Sequence, residues 1–187
     1  MSSILKVNTL QDAGGNTILS SDGAGTFTSN LPAGGITQLD QWRLTTSITG
    51  SHNPISSNLE RADTPTTALI GTGMSESSGI FTFPETGIYE IKATFLFYAA
   101  ASTSGNCYGY IAATTDNSTY TDRSEIVTFF AANDMGVSAH GSFLFDVTNT
   151  STHKVRFETS LANGSDQIQG NTDRNLTHFT FTRLGDT

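Results

Sequence analysis

The 187-residue sequence has little charge, and the charge it has is scattered. Charged residues make up 14% of the chain, well below the roughly 25% of an average soluble domain. The nine basic residues occur singly, so no basic stripe is present to neutralise the phosphates of a nucleic acid. The net charge of −8 would be repelled by an anionic membrane surface. We therefore expect neither nucleic acid nor membrane as a partner.

Cysteine and long apolar runs are also scarce. Cys107 is the only cysteine, which excludes an intramolecular disulfide, and its neighbours Tyr108 and Ile111 predict a buried, inert thiol. No apolar run approaches the roughly 20 residues that span a bilayer. Residues 1–6 lack the basic-then-apolar order of a signal peptide. These features predict a protein that is made and folded in a cytoplasm and not secreted.

The residues that are abundant, Thr, Ser, Asn and Gly, suit strands and turns and support helices poorly. The strongest strand pattern covers residues 88–98, with Ile91 and Phe95 on one face and Glu90 and Lys92 on the other. Further alternating stretches centre on apolar pairs, namely Phe81 with Phe83, Phe143 with Phe145, Val155 with Phe157, and Phe179 with Phe181. Many short strands separated by turn clusters indicate an all-β sandwich or jelly roll.

Helices and repeats are not expected. One short helical turn over residues 58–63 is the most that the pattern allows, and no internal repeat of 20 to 50 residues is present. A fibrous shaft or a solenoid is therefore not encoded.

The first 39 residues differ from the rest. Short strand-like pieces alternate with glycine turns, and each piece has too few apolar residues to form a core alone. We expect such an arm to be ordered only by pairing with other chains or by lying on another protein. Residues 31–35 form a linker. The sequence thus predicts an arm and linker over 1–39 and a β-domain over 40–187.

Motifs that carry catalytic or cofactor chemistry are missing. The stretch beginning at Gly71 and Gly73 starts like a dinucleotide fingerprint, but Glu76 stands where the third glycine belongs. The four histidines never occur at metal-ligand spacing, although one histidine per chain could meet its copies on a threefold axis. Acidic residues are dispersed in turns and on polar strand faces. We expect no enzyme activity, no cofactor and no metal.

Tyr108 and Tyr110 fall on one strand face, opposite Cys107, Gly109 and Ile111. If that opposite face fills the core, the two tyrosines are presented to something else. A partner subunit is the favoured interpretation, since aromatics are enriched at the centres of interfaces. A sugar-binding surface is the alternative.

Residues 78–91, with Phe81, Pro84, Gly87 and Tyr89, resemble the "G-x-F-x-x-P-x-x-G-x-Y" signature of the C1q/TNF-like jelly-roll superfamily. Residues 177–184 look like the last strand of that family, and the likeness covers about residues 40–187. The resemblance implies a sandwich of about ten strands that assembles as a compact homotrimer.

In that family, the sheet that holds the first, the long third and the last strands faces the threefold axis. The resemblance therefore implies a set of aromatic interface residues, namely Trp42, Tyr108, Tyr110, Phe179 and Phe181.

A second resemblance is independent of the first. Residues 3–18, together with residues 42–45 and 58–61, look like virion structural proteins of tailed phages, especially marine ones. This resemblance implies that the arm anchors the protein to a virion through its apolar residues, namely Ile4, Leu5, Val7, Leu10, Ile18, Leu19 and Phe27.

Together these features predict a non-enzymatic structural protein on the surface of a phage virion, a homotrimer mounted by its arm on other virion proteins. A capsid decoration protein or short head fibre is favoured, because the mount is short and no shaft repeat is present. A tail fibre that attaches to a glycan or protein of the host surface is the alternative. A glycan-degrading enzyme is a third possibility, which the missing carboxylate constellation disfavours.

Overall fold

A computed structural model of the chain describes residues 7–29, 35–66, 69–101 and 105–187. The chain divides into two compact units, Met1–Gly35 and Ile36–Thr187. The larger unit begins a few residues before Leu39, the first residue of its first strand, and the chain already bonds within that unit at this point. The amide of Leu39 donates to Ile70 (3.0 Å), and Gln38 accepts from the amide of Thr72 (2.8 Å).

The smaller unit is a three-stranded antiparallel sheet in the order β1-β2-β3. Its strands are β1 (Thr9–Gln11), β2 (Thr17–Ser21) and β3 (Phe27–Ser29). Asp12 closes the first loop by accepting the backbone N–H groups of Gly14 and Asn16 (both 2.9 Å), and Asp22 closes the second loop in the same way. The strand-like pieces of the predicted arm thus pair with one another.

The larger unit is a sandwich of two antiparallel sheets. Its strands in chain order are β4 (Leu39–Leu44), β5 (Thr46–Thr49), β6 (Leu59–Arg61), β7 (Ser75–Ser77), β8 (Ile80–Thr82), β9 (Gly87–Ala99), β10 (Gly105–Thr114), β11 (Thr121–Phe130), β12 (Met135–Val147), β13 (Lys154–Ser160), β14 (Gln167–Asn171) and β15 (His178–Gly185).

The larger sheet has seven strands, in the order β5-β14-β9-β15-β4-β6, with β12 paired to the other edge of β9. The central strand β9 pairs with β12 along its whole length, from Gly87 opposite Val147 to Ala99 opposite Met135. Its inward residues are buried and its outward residues are partly or fully exposed, which confirms the predicted period of two.

The smaller sheet has five strands in the order β11-β10-β13-β8-β7. A two-residue turn joins β7 to β8, with Ser78 at φ 53° and Gly79 at φ 82°. Two consecutive positive φ angles are typical of the type I′ hairpin turn. A Cβ on Gly79 would lie 2.3 Å from the carbonyl oxygen of Ile55, so glycine is required there both by conformation and by space.

The core lies between the two sheets and is rich in aromatic side chains. Phe81 of the smaller sheet lies at its centre, with its ring centroid 5.4 Å from Trp42, 5.5 Å from Phe157 and 5.1 Å from Phe181. Most of these contacts are edge-to-face or tilted, the geometry that aromatic pairs prefer. The alternating aromatics of the sequence therefore join the sheets across one continuous core.

Residues 58–63, where the sequence allowed a short helical turn, contain strand β6 instead. β6 pairs with β4, and this pairing supplies the backbone hydrogen bonds that a helical turn would have made locally. The described residues contain no helix, and so none that is long and apolar enough to cross a membrane.

Candidate binding surfaces

Phe179 and Phe181, expected at a trimer interface, lie in the core of the single chain. Their side chains are 0% and 1% exposed, and the ring of Phe179 stacks on that of Phe157 with a centroid distance of 3.6 Å. Their side chains therefore have no free surface to offer a partner. On the same strand, the alternate residues Thr180 and Thr182 are only partly buried and belong to the outward face.

Trp42 packs inward as well. Its ring meets Phe81 edge-to-face, and the guanidinium of Arg61 lies 5.0 Å from its centroid. Its indole N–H donates to Asp40 (2.9 Å). Trp42 therefore closes one side of the core, held between the phenylalanines and a charged pair.

Asp40 is the acceptor of a buried polar cluster. It is 1% exposed and accepts from the indole of Trp42, from Nε of Arg61 (2.8 Å) and from the backbone N–H of Met74 (2.7 Å). This carboxylate ties β4 to β6 and to the segment before β7. No motif in the sequence marks Asp40, because its partners lie 2, 21 and 34 residues away.

Tyr108 and Tyr110 face outward on the smaller sheet, on the side of β10 opposite the buried Cys107, Gly109 and Ile111. Their rings are nearly parallel, at an interplanar angle of 9° with centroids 6.1 Å apart. In the sheet register Tyr108 lies opposite Val127 of β11, and Asn106 lies opposite Phe129. Val127 and Phe129 are 54% and 53% exposed. We call these four side chains, Tyr108, Tyr110, Val127 and Phe129, the aromatic strip.

Carboxylates flank the aromatic strip. Tyr110 lies opposite Glu125 on β11 and opposite Glu158 on β13. Glu158 is 7% exposed and accepts from Nε of Arg156 (2.6 Å), whose guanidinium lies 4.1 Å from the centroid of Tyr120. The sheet register therefore places two acidic groups beside one partly exposed tyrosine, and the ion pair with Arg156 holds Glu158 in position.

The outward face of the larger sheet is different in character. The edge strand β12 presents the small neutral side chains Ser138 and Ser142, and the central strand β9 presents the charged pair Lys92 and Glu90, which is joined by an ion pair of 3.0 Å. Leu144, also on this face, is 60% exposed. A shallow depression of about 190 Å³ lies around Lys92, Ser142 and their neighbours. A wide face with few unpaired charges is suited to being covered by protein.

His178 occupies the middle of that face, between Arg43 of β4 and Thr94 of β9, with His140 of β12 in the same row. Its Nδ1 atom is buried and has no hydrogen-bond partner among the described residues. Burial lowers the pKa of His178 below its ordinary value of 6.5, since it disfavours the charged ring.

We therefore expect stability to fall in acid through this residue. Because the pKa of His178 is lower in the folded state, its contribution to stability is complete above pH 6.5 and is lost as the pH falls from 6.5 through the lowered pKa. Urea unfolding between pH 7.5 and 5 should show a smaller decline for His178→Gln than for the wild type. His140→Gln, an exposed histidine in the same row, is the matched control. An equal decline in all three proteins would contradict the assignment.

The anchoring residues predicted in the N-terminal segment are partly brought together. Val7, Leu10, Leu19 and Phe27 line one open groove of about 210 Å³ on the three-stranded unit. Phe27 is 70% exposed, Val7 55% and Leu10 48%. Ile18 lies on β2 and is half-buried. Ile4 and Leu5 lie outside the described residues.

Cys107 is fully buried, as predicted, and burial raises the pKa of its thiol. In the described ranges no three His, Cys, Asp or Glu side chains lie close enough together to hold a metal ion.

The exposed Val127 and Phe129 were not singled out as a surface by the sequence. The available signal was β11 itself, in which Ile126 and Phe130 fall on one face and Val127 and Phe129 on the other. A strand that is apolar on both faces near one end predicts a second contact surface. The matching tyrosines, however, lie on β10, and only the sheet register brings the two sets together.

Comparison with known proteins identifies the fold of the sandwich. No family model and no curated protein matches the chain. Among solved structures, Eiger TNF from S. frugiperda aligns with a TM-score of 0.62 and 10% identity, over 80% of this chain and 93% of that one. The larger unit has a C1q/TNF-like jelly-roll fold.

Two further structures agree. Murine APRIL (pH 8.5) has a TM-score of 0.57 at 11% identity, covering 79% of this chain and 98% of its own. The globular domain of the zebrafish complement 1qA protein has a TM-score of 0.55 at 12% identity, covering 81% and 99%. Identities this low show a shared fold, and they leave the function to be argued from the surfaces of this chain.

Proposed function

We propose that this chain is a non-enzymatic structural protein of a tailed-phage virion surface. Its jelly roll assembles as a homotrimer through the outward face of the larger sheet, and its N-terminal unit attaches the trimer to other virion proteins. The favoured role is capsid decoration or a short head fibre. The resemblance of the N-terminal residues to phage virion proteins supports the location.

The observation that carries the proposal is the uncovered apolar groove of the N-terminal unit. Val7, Leu10 and Phe27 are each about half exposed or more, on a sheet of three strands with three to five residues each. A sheet of that size buries too little apolar surface to be stable alone. Such a unit gains stability when another protein covers its groove, and we therefore assign the N-terminal unit to attachment.

Self-association is supported by the larger sheet. It contains β4, β9 and β15, the first, the long central and the last strands of the sandwich. In the C1q/TNF-like family that the sequence resembles, the sheet with these strands faces the threefold axis. The larger sheet's outward face includes neutral residues such as Thr94, Thr180 and Ser142, and the exposed Lys92 of β9 is already paired with Glu90. Burying this face therefore leaves few unpaired charges.

Light scattering on the full chain tests the assembly. The wild type should have three times the chain mass of 19.9 kDa. Ser142→Arg adds a second positive charge to the larger sheet's outward face, opposite Lys92, and should shift the mass to that of the monomer. Ser160→Arg, on the outward face of the smaller sheet, is the matched control and should remain trimeric. A monomeric wild type would refute the trimer, and equal masses for the two variants would contradict its assignment to the larger sheet's face.

A binding experiment tests the mount. Purified capsids from a phage that lacks only this protein should bind the wild-type trimer. Phe27→Asp should reduce binding at least tenfold without changing the mass, whereas Val127→Asp, which places the same charge on the smaller sheet, should bind normally. If Phe27→Asp and the wild type bind capsids equally well, the N-terminal unit does not attach the trimer through this groove, and that part of the proposal fails.

A second role, attachment to the host surface as part of a tail fibre, is favoured by one observation, the aromatic strip with its flanking carboxylates. Immunogold labelling of intact virions separates the two roles, because decoration places gold on the head and a fibre places it at the tail. The ligand of the aromatic strip is a separate matter in either location.

A further inference from the structure

The aromatic strip is exposed apolar surface that neither the core nor the larger sheet's face uses. Val127 and Phe129 are more than half exposed and adjoin the partly exposed pair of parallel tyrosines. Contiguous exposed aromatics on a soluble protein mark a binding surface. The chemistry beside them indicates what binds.

The surface combines flat rings with hydrogen-bond acceptors. Parallel tyrosine rings offer polarizable faces to C–H groups, which carry a small positive charge that the ring quadrupole attracts. Glu125 and Glu158 lie on either side of Tyr110 in register, and ionised carboxylates are strong acceptors for hydroxyl donors. A ligand with an apolar C–H face and hydroxyls around its edge matches both features, and a sugar ring is such a ligand.

The charge of the site selects among sugars. Burial raises the pKa of Tyr110, and the carboxylates of Glu125, Asp122 and Glu158 raise it further. The one guanidinium near Tyr110 on β13, that of Arg156, is paired with Glu158. A sulfated or sialylated glycan would therefore meet net negative charge, whereas a neutral saccharide would not.

The same carboxylates disfavour a protein partner. A second copy of the chain or another protein that covered the aromatic strip would remove the exposed carboxylate of Glu125 from water, whereas Glu158 is already buried within the chain. One of these carboxylates is exposed, and the other shares its charge with a single arginine. Burying carboxylates without matching donors is unfavourable. Sugar hydroxyls supply such donors and keep water at the site.

The site is also held in place before any ligand arrives. Nδ2 of Asn106 donates to the hydroxyl of Tyr108 (3.1 Å). Glu158 is fixed by Arg156, which in turn lies over the ring of Tyr120. Groups that are already ordered lose little conformational entropy on binding.

We propose that the aromatic strip, with Glu125 and Glu158, is a binding site for neutral saccharide chains. This inference deepens the second role proposed above, but its test is independent of trimer formation and of capsid binding.

The full-length protein is titrated by calorimetry and by a bead pull-down with neutral saccharides (maltohexaose, cellohexaose, dextran) and with anionic ones (heparin, polysialic acid). We expect at least one neutral saccharide to bind and the anionic ones to bind more weakly. Tyr110→Ala and Glu125→Gln should each weaken binding at least tenfold, with Tyr108→Ala close behind.

Phe27→Ala is the matched control, because it removes an exposed aromatic ring from the separate N-terminal unit and should leave the mass and saccharide binding unchanged. Thermal midpoints and light scattering confirm that each variant is folded and keeps its mass. Three outcomes would overturn the proposal: no neutral saccharide binds, the anionic saccharides bind best, or Tyr110→Ala binds as the wild type does. If Tyr108→Ala or Val127→Asp dissociates the trimer, the aromatic strip is a contact between copies, and the proposal fails while self-association stands.

Discussion

Replacing Phe81 with alanine is expected to lower the free energy of unfolding by about 4 kcal/mol, the largest single effect we expect in this chain. Phe81 is 0% exposed and contacts aromatics of both sheets, Trp42 and Phe181 in the larger sheet and Phe157 in the smaller one. Truncation opens a cavity at the point where the sheets meet, and β8, with only three residues, has little other packing to hold it.

Chemical denaturation at a fixed protomer concentration measures this effect, since self-association would make the apparent stability depend on concentration. Phe129→Ala is the matched control, because the same atoms are removed from a side chain that is 53% exposed. It should change the free energy of unfolding by less than about 1 kcal/mol. A loss at Phe81 no greater than the loss at Phe129 would show that the aromatic core does not depend on its central ring.

The second large effect is expected at Asp40, where replacement by alanine should lower the free energy of unfolding by about 3 kcal/mol. Without the carboxylate, the Trp42 indole and the Met74 backbone N–H lose their acceptor, and Arg61 loses its ion-pair partner. The Arg61 side chain is 32% exposed, so water compensates this guanidinium in part, and the loss should fall short of that of a fully buried pair.

Asp146→Ala is the control for Asp40, since Asp146 is an exposed carboxylate on β12. It should have almost no effect. A double-mutant cycle with Arg61→Ala then isolates the contribution of the ion pair. The sum of the two single losses in unfolding free energy should exceed the loss in the double variant. Strict additivity would mean that Asp40 acts through its neutral hydrogen-bond donors alone.

Local patterns in the sequence were sufficient to predict the β-sandwich, but they were insufficient to predict which side chains meet on its surfaces. The alternation over residues 88–98 predicted β9, because one buried face and one outward face impose a period of two on any strand. The helical turn allowed at residues 58–63 was wrong. Its short polar stretch has no period of its own, and pairing with β4 made it a strand.

The predicted interface residues show the same limit. Periodicity identified Phe179 and Phe181 as inward-facing, and only the family resemblance placed them at an interface; in the folded chain they are core. Tyr108 and Tyr110 do face outward, but they lie on the smaller sheet. The family resemblance implied that the other sheet, which contains the first and last strands, faces the threefold axis. Which sheet a strand joins depends on its pairing with other strands of the chain, and a pattern of alternating side chains within one strand does not encode it.

The sequence by itself determined the class of the fold, the absence of an intramolecular disulfide and the shared strand face of Tyr108 and Tyr110, since each depends on residue type or on a repeat of two within one strand. The tertiary structure alone decided which side chains meet. Strand register placed Glu125 and Glu158 beside Tyr110, and strand order brought Asp40 to Arg61 and Met74. Such contacts join residues far apart in the chain, and hydrogen bonding between strands, which every residue type can make, sets them.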